Sequence, residues 1–146
     1  MQVKFTLVRP GAAKPFYASE GAAAADLCAA IEAPLTLEPG ARALVPTGVA
    51  IALPGPEYVA LICARSGLAV KKGLTLSNGI GVIDSDYRGE LQVGLVNLAD
   101  TAYTIEPGER IAQLMIMPVV QASFIQAESL GETQRGTGGF GSTGRH

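Results

Sequence analysis

The chain has 146 residues, the size of one domain and enough to bury about two-thirds of its unfolded surface. Charged residues are 16% of it, below the usual soluble share of about 25%, and its 18 glycines and 9 prolines exclude a helical bundle. A formal net charge of −2 gives no case for nucleic acid, and the one histidine is the terminal His146, which sets aside Ser-His and Cys-His pairs and imidazole zinc sites.

The first residues, MQVKFTLVRPG, lack the apolar stretch of a signal peptide. The longest run without charge, 111–127, is interrupted by Gln113, Pro118, Gln121 and Gln126 and does not read as a membrane span. A soluble, cytoplasmic protein with no membrane partner is expected. Val3, Phe5 and Leu7 alternate with Gln2, Lys4 and Thr6, the periodicity of a strand. Apolar runs follow at 43–46, 49–53, 58–64, 91–97, 102–105 and 111–117, punctuated by Pro39-Gly40, Pro54-Gly55-Pro56 and Pro107-Gly108. Short strands with frequent turns predict an all-β sandwich or barrel. One segment departs from this pattern. With Ser66 as N-cap, and Lys71, Lys72 and Gly73 at its end, 66–73 predicts a helix of about two turns. The stretch 78–90 lies between apolar runs and reads as a long hairpin. From Glu128 the composition shifts to glycine, giving a barrel over 1–127 and a tail over 128–146 that is either passive or an arm folding over a ligand.

Anion-binding residues come first among the candidates for chemistry. Arg65-Ser66-Gly67 offers a guanidinium, a hydroxyl and backbone N–H groups at a helix start, a set that suits phosphate or an ordinary cap. The tail from Arg135 to Gly144 combines glycines with Ser142 and Thr143 donors and the aromatic face of Phe140. Asp84 follows Gly81-Val82-Ile83, so partial desolvation is expected there, as suits a general base for water or a turn carboxylate. Asp26 stands among small apolar residues and could orient Mg²⁺ waters or bond a nearby turn. Gln113 is the lone polar residue of its run and answers either backbone or a ligand. Cys28 and Cys63, without metal spacing, read as small core residues.

In chain order these segments are Ala24-Ala25-Asp26-Leu27; Ala64 to Ala69; Asn78 to Glu90, containing Gly-Val-Ile-Asp-Ser-Asp-Tyr-Arg-Gly-Glu; Gly108 to Leu114; and the Arg135–Gly144 tail. Together they resemble the five motifs of the homotrimeric dUTP diphosphatase (dUTPase) family, from about Asp26 to Gly144. The resemblance implies an all-β, distorted jelly-roll β-barrel with one short helix, assembled as a trimer with active sites at subunit interfaces. It implies Mg-dependent hydrolysis of dUTP to dUMP and pyrophosphate, supplying dUMP for thymidylate synthesis, with Asp84 activating water for in-line attack on the α-phosphate. Asn78, Val82, Ile83 and Gln92 would meet uracil, and Tyr87 would lie on the deoxyribose and exclude a 2′-hydroxyl or a thymine methyl. Arg65, Ser66, Gly67 and Gln113 match the phosphate contacts, and Asp26 the residue that holds Mg²⁺ through water. Arg135, Phe140, Gly141, Ser142 and Thr143 match an arm that closes from a neighbouring subunit. Two departures, Ala24 where the family commonly has glycine and Asn78-Gly79-Ile80-Gly81 where it often has Asn-Ala-Pro-Gly, leave every proposed catalytic side chain in place. A dCTP deaminase shares the fold but fits 83–87 and the glycine-rich tail less well.

Overall fold

The computed structural model describes residues 1–139. In chain order its elements are β1 (Lys4–Leu7), β2 (Ala25–Cys28), β3 (Leu35–Leu37), β4 (Arg42–Ala52), β5 (Tyr58–Ala64), α1 (Ser66–Lys72), β6 (Leu74–Leu76), β7 (Gly81–Ile83), β8 (Glu90–Asn97), β9 (Tyr103–Ile105) and β10 (Arg110–Pro118). The expected all-β jelly-roll barrel with one short helix is what forms. Two four-stranded sheets, ordered β1-β4-β8-β6 and β2-β10-β5-β7, enclose one core, and β3-β9 pair beside them. No helix among the described residues is long and apolar enough to cross a membrane.

Alternation decides what enters the core. Along β8, Leu91, Val93, Leu95 and Asn97 point inward while their neighbours stay partly or fully exposed. Leu27, Leu74, Leu91, Leu95, Ile105 and Ile111 are almost wholly buried, each contributing about 1.5–3 kcal/mol by leaving water. Asn97 is the polar exception in that row, with both amide protons and the carbonyl oxygen of its side chain hydrogen-bonded. Its Nδ2 donates to the carbonyls of Leu37 (2.9 Å) and Thr101 (2.8 Å), and its Oδ1 accepts from the Ala99 N–H at 3.0 Å. The end of β8 is thereby tied to β3 and to the loop that follows Asn97.

The runs 43–46 and 49–53 are one strand, β4, with a bulge between them. The pairing with β8 shifts register between Pro46 and Ala50, and Gly48 there has φ +69°. A Cβ on Gly48 would stand 2.3 Å from that of Ala12, so both backbone and packing require glycine. Thr47 satisfies the polar groups this frees, donating to the Leu91 carbonyl at 2.6 Å and accepting from the Val49 N–H at 3.2 Å.

Two expectations need correction. The stretch 78–90 is not a hairpin, because β7 pairs with β5 while β8 pairs with β4 and β6. It crosses from one sheet to the other, which apolar periodicity alone cannot distinguish from a turn-back. Ser66 is not the N-cap either. Arg65 takes that position in extended conformation, and its carbonyl accepts from Leu68 and Ala69, so Ser66 is already helical. Gly73 closes the helix at φ +70°, as expected. The last strand ends at Pro118, and 119–139 contains no further helix or strand, with Val120, Phe124, Ile125 and Leu130 exposed.

Candidate active site

The predicted residues gather in two places. The first is the outer face of the β2-β10-β5 sheet. Asp26, Gln113 and Cys63 stand directly opposite one another across the three strands, and directly paired residues share a face. Asp26 is only 2% exposed and lies between two guanidinium groups. Arg65 Nε donates to Oδ1 at 3.1 Å and Arg110 Nη1 to Oδ2 at 3.0 Å, while Arg65 Nη1 also donates to the Arg110 carbonyl at 2.9 Å. A buried carboxylate is tolerable only with such pairing and hydrogen bonding. Ser66 and Gly67 follow at the first turn of α1, exposed and without a side-chain cap. Cys28, also on β2, has its thiol pushed up by burial and then by the Asp26 charge, which keeps it in the inert form expected of a core cysteine.

The second place is the crossing segment. Val82, Ile83, Asp84, Tyr87 and Gln92, all predicted, line a cavity of about 200 Å³ together with Glu90 and Leu91. The turn after β7 is held by bonds to its own carbonyls, with Tyr87 N–H donating to that of Asp84 (3.2 Å) and the Arg88 side chain, through Nη1, to those of Ser85 (2.7 Å) and Tyr87 (2.9 Å). The Tyr87 hydroxyl reaches forward to the Glu90 carbonyl at 3.1 Å. Asp84 is exposed, contrary to the desolvation expected from its apolar neighbours. The reason is the short β7, which ends at Ile83 and releases the next residue toward solvent. Asn78 is exposed at the start of the segment, where its carbonyl accepts from Ile80 N–H at 2.8 Å, and it is not part of this lining.

Within one chain these two places are far apart. Ile83 pairs with Ala60 near the start of β5, whereas Arg65 follows the last residue of that strand. Five residues at about 3.3 Å each separate them by roughly 17 Å.

Known proteins resolve what such a chain is. The dUTPase family model matches residues 12–144. The chain belongs to the dUTPase family. It is 54% identical over 132 residues to the deoxyuridine 5'-triphosphate nucleotidohydrolases of Ralstonia nicotianae and Burkholderia multivorans, covering 90% of this chain and 89% of each relative. Among solved structures, the Staphylococcus bacteriophage 80alpha dUTPase with dUPNHPP superposes with TM-score 0.89 at 30% identity, covering 98% of each chain. A variant of the dUTPase from phage phi11 of S. aureus, described as coordinating a structural Mg(II) ion, superposes with TM-score 0.81 at 25% identity, covering 90% of this chain and all of that one.

Against the family expectation of a metal, the donor set is informative. No group of three or more His, Cys, Asp or Glu able to hold an ion occurs among the described residues. Both Asp26 oxygens already accept from arginine. Asp26 would therefore meet a divalent ion through a water and not as a direct ligand while both arginines hold it. Of the predicted dUTPase arm, Arg135 is exposed with its Nε donating to the Gly138 carbonyl at 2.8 Å. Phe140, Gly141, Ser142 and Thr143 lie outside the described residues. Arg110, absent from the sequence-derived candidates, proves to be half of the clamp on Asp26. Its partner lies 84 positions away, so no local pattern announces the pair.

Proposed function

We propose that the protein hydrolyses dUTP to dUMP and pyrophosphate in the cytoplasm, supplying dUMP for thymidylate synthesis. Asp84 acts as the general base, directing a water in line at the α-phosphate. The observation that carries this reading is the open Asp84 carboxylate on a cavity whose other walls are Val82, Ile83, Tyr87 and Gln92. That is an acid-base group beside an open pocket with both apolar and polar walls. Asn78 lies at the entrance of the same segment, where it and Gln92 would meet the uracil edge. Tyr87 would wall the deoxyribose.

The phosphate contacts come from elsewhere. Arg65, Ser66, Gly67 and Gln113 form the cationic and hydrogen-bonding set, but roughly 17 Å along β5 from the Asp84 end. A reacting water must sit about 3 Å from both its base and the phosphorus. On that spacing the reading calls for a neighbouring copy to bring its Arg65 group to this chain's Asp84. A homotrimer with sites between subunits satisfies that requirement, with the 128–146 arm and its Arg135, Phe140, Gly141, Ser142 and Thr143 closing over the nucleotide. Mg²⁺ bound across the phosphates would neutralise their charge. Asp26 would receive one of its waters once Arg65 turns from Oδ1 to a phosphate, while Arg110 keeps Oδ2.

A substrate panel with Mg²⁺ tests the reading, following pyrophosphate and monophosphate from dUTP, dCTP, dTTP and UTP. Pyrophosphate from dUTP alone is expected. Hydrolysis of all four would refute the uracil-deoxyribose pocket, and ammonia released from dCTP would point to a deaminase. The shared site has its own test. Co-refolding two inactive variants, Asp84→Asn and Arg65→Gln, should restore a fraction of wild-type turnover, and no recovery would confine each site to one chain.

A further inference from the structure

Gly89 occupies a place that a side chain could share only if the Tyr87 ring moved. A Cβ built on it would meet Tyr87 Oη at 2.3 Å, Cζ at 2.5 Å and Cε2 at 3.0 Å. Its φ lies outside the left-handed region that demands glycine, so the constraint is room for the Tyr87 ring and not backbone strain. The phenol folds forward over Gly89, and its hydroxyl reaches the Glu90 carbonyl at 3.1 Å.

The acceptor is itself fixed in the fold. Arg9 donates to the Glu90 carboxylate through Nε (2.7 Å to Oε1) and Nη2 (2.6 Å to Oε2), and the Gly48 N–H at the β4 bulge donates to Oε1 at 2.7 Å. Three charge-assisted bonds from two other segments thus set the position of residue 90, and the Glu90 carbonyl sets the Tyr87 hydroxyl. Tyr87 lines the Asp84 cavity at the point where the proposed sugar lies.

We propose that Gly89 is a specificity-determining residue, holding open the space in which the Tyr87 ring becomes a fixed wall against 2′-hydroxyl and 5-methyl substituents. The inference rests on the dUTP-hydrolase reading. The obstruction a methyl at 89 creates is against the far end of a side chain, which moves more readily than backbone. Gly89→Ala therefore displaces the ring while leaving the strands in register. A wall that can yield discriminates poorly, because rejection by shape needs the wall to stay when the larger ligand pushes.

The test compares kcat/KM for dUTP, UTP and dTTP in the wild type and Gly89→Ala, with thermal unfolding alongside. Preference for dUTP over UTP should fall about tenfold or more, mainly through increased UTP turnover, with little change in the unfolding midpoint. Tyr87→Phe, which needs no extra room but loses the bond to Glu90, should shift the ratio the same way by less, and carries the test should Gly89→Ala fold poorly. Wild-type ratios in both variants would overturn the inference while leaving the hydrolase reading intact. Failure of the wild type itself to hydrolyse dUTP would overturn that reading and the inference with it.

Discussion

Asp26 and Asp84 are both proposed site carboxylates, yet the fold treats them in opposite ways. Asp26 is in the middle of a paired strand, buried, with one guanidinium on each oxygen. Asp84 is one residue past the end of a three-residue strand, exposed on an open cavity. The first is organised before any ligand arrives and works by holding other groups. The second is left free, as a group that must take a proton from water has to be. On the proposed reading the contrast gives structure to one and chemistry to the other, and substitutions should separate them.

The largest effect expected is on turnover at Asp84. Asp84→Asn keeps the shape and removes the base, so kcat should fall by about 10²- to 10⁴-fold while dUTP binding persists. Near-wild-type kcat would remove Asp84 from its role. Asp26→Ala should act first on the fold. It leaves two arginines facing each other over a vacated site, and breaking a buried pair by deleting one partner costs about 3–5 kcal/mol. Because Arg110 is 45% exposed, the loss should lie nearer 2–3 kcal/mol, as water screens the cation left behind. Denaturant unfolding would read it. An Asp26→Ala protein of wild-type stability would show that the clamp is ornamental. The core sets a reference between these two. Leu95→Ala, in the fully buried row of β8 and away from the Asp84 cavity, should cost about 2–5 kcal/mol with no selective effect on nucleotide preference.

The same contrast marks what sequence can convey. Long strands are legible where an apolar run stands unbroken between turn residues, as in β5, whose bounds match the run 58–64. They blurred where a bulge intervened, since two apolar runs around Gly48 form one strand only because Ala12 and Thr47 accommodate the extra residue. The short strands β2, β3 and β6 span three or four residues and carry too little pattern to be read. Asp84 and Tyr87 were identifiable because their whole motif is contiguous. The exposure of Asp84 was not, because it depends on where β7 stops pairing with β5. The Asp26–Arg65–Arg110 clamp joins residues 39 and 84 positions apart from Asp26, and only strand order β2-β10-β5 brings them together. The placing of the two candidate groups at opposite ends of β5 is likewise a product of register, invisible in the order of the motifs.

The smallest effect concerns the clamp behind Tyr87 and its dependence on pH. Glu90 has its carboxyl held below the ordinary value of 4.5, first by the hydrogen bond from Arg9, against some opposing desolvation, and further by the Gly48 N–H and the Arg9 charge. A carboxylate whose pKa is lower folded than unfolded contributes stability that is full above the unfolded value and is lost as pH falls through the folded one. Glu90→Gln can keep a hydrogen bond to Arg9 but cannot titrate. The stability gap between wild type and Glu90→Gln should therefore be constant at neutral pH, then close as acid takes the wild-type carboxylate below 4.5 toward its depressed value. Arg9→Met should show the same closing gap, since it removes the cause of the shift and not the carboxylate. A gap that stays open to low pH in both variants would mean that the clamp acts by packing alone, and that residue 90 is positioned by its strand and not by the charge of Arg9.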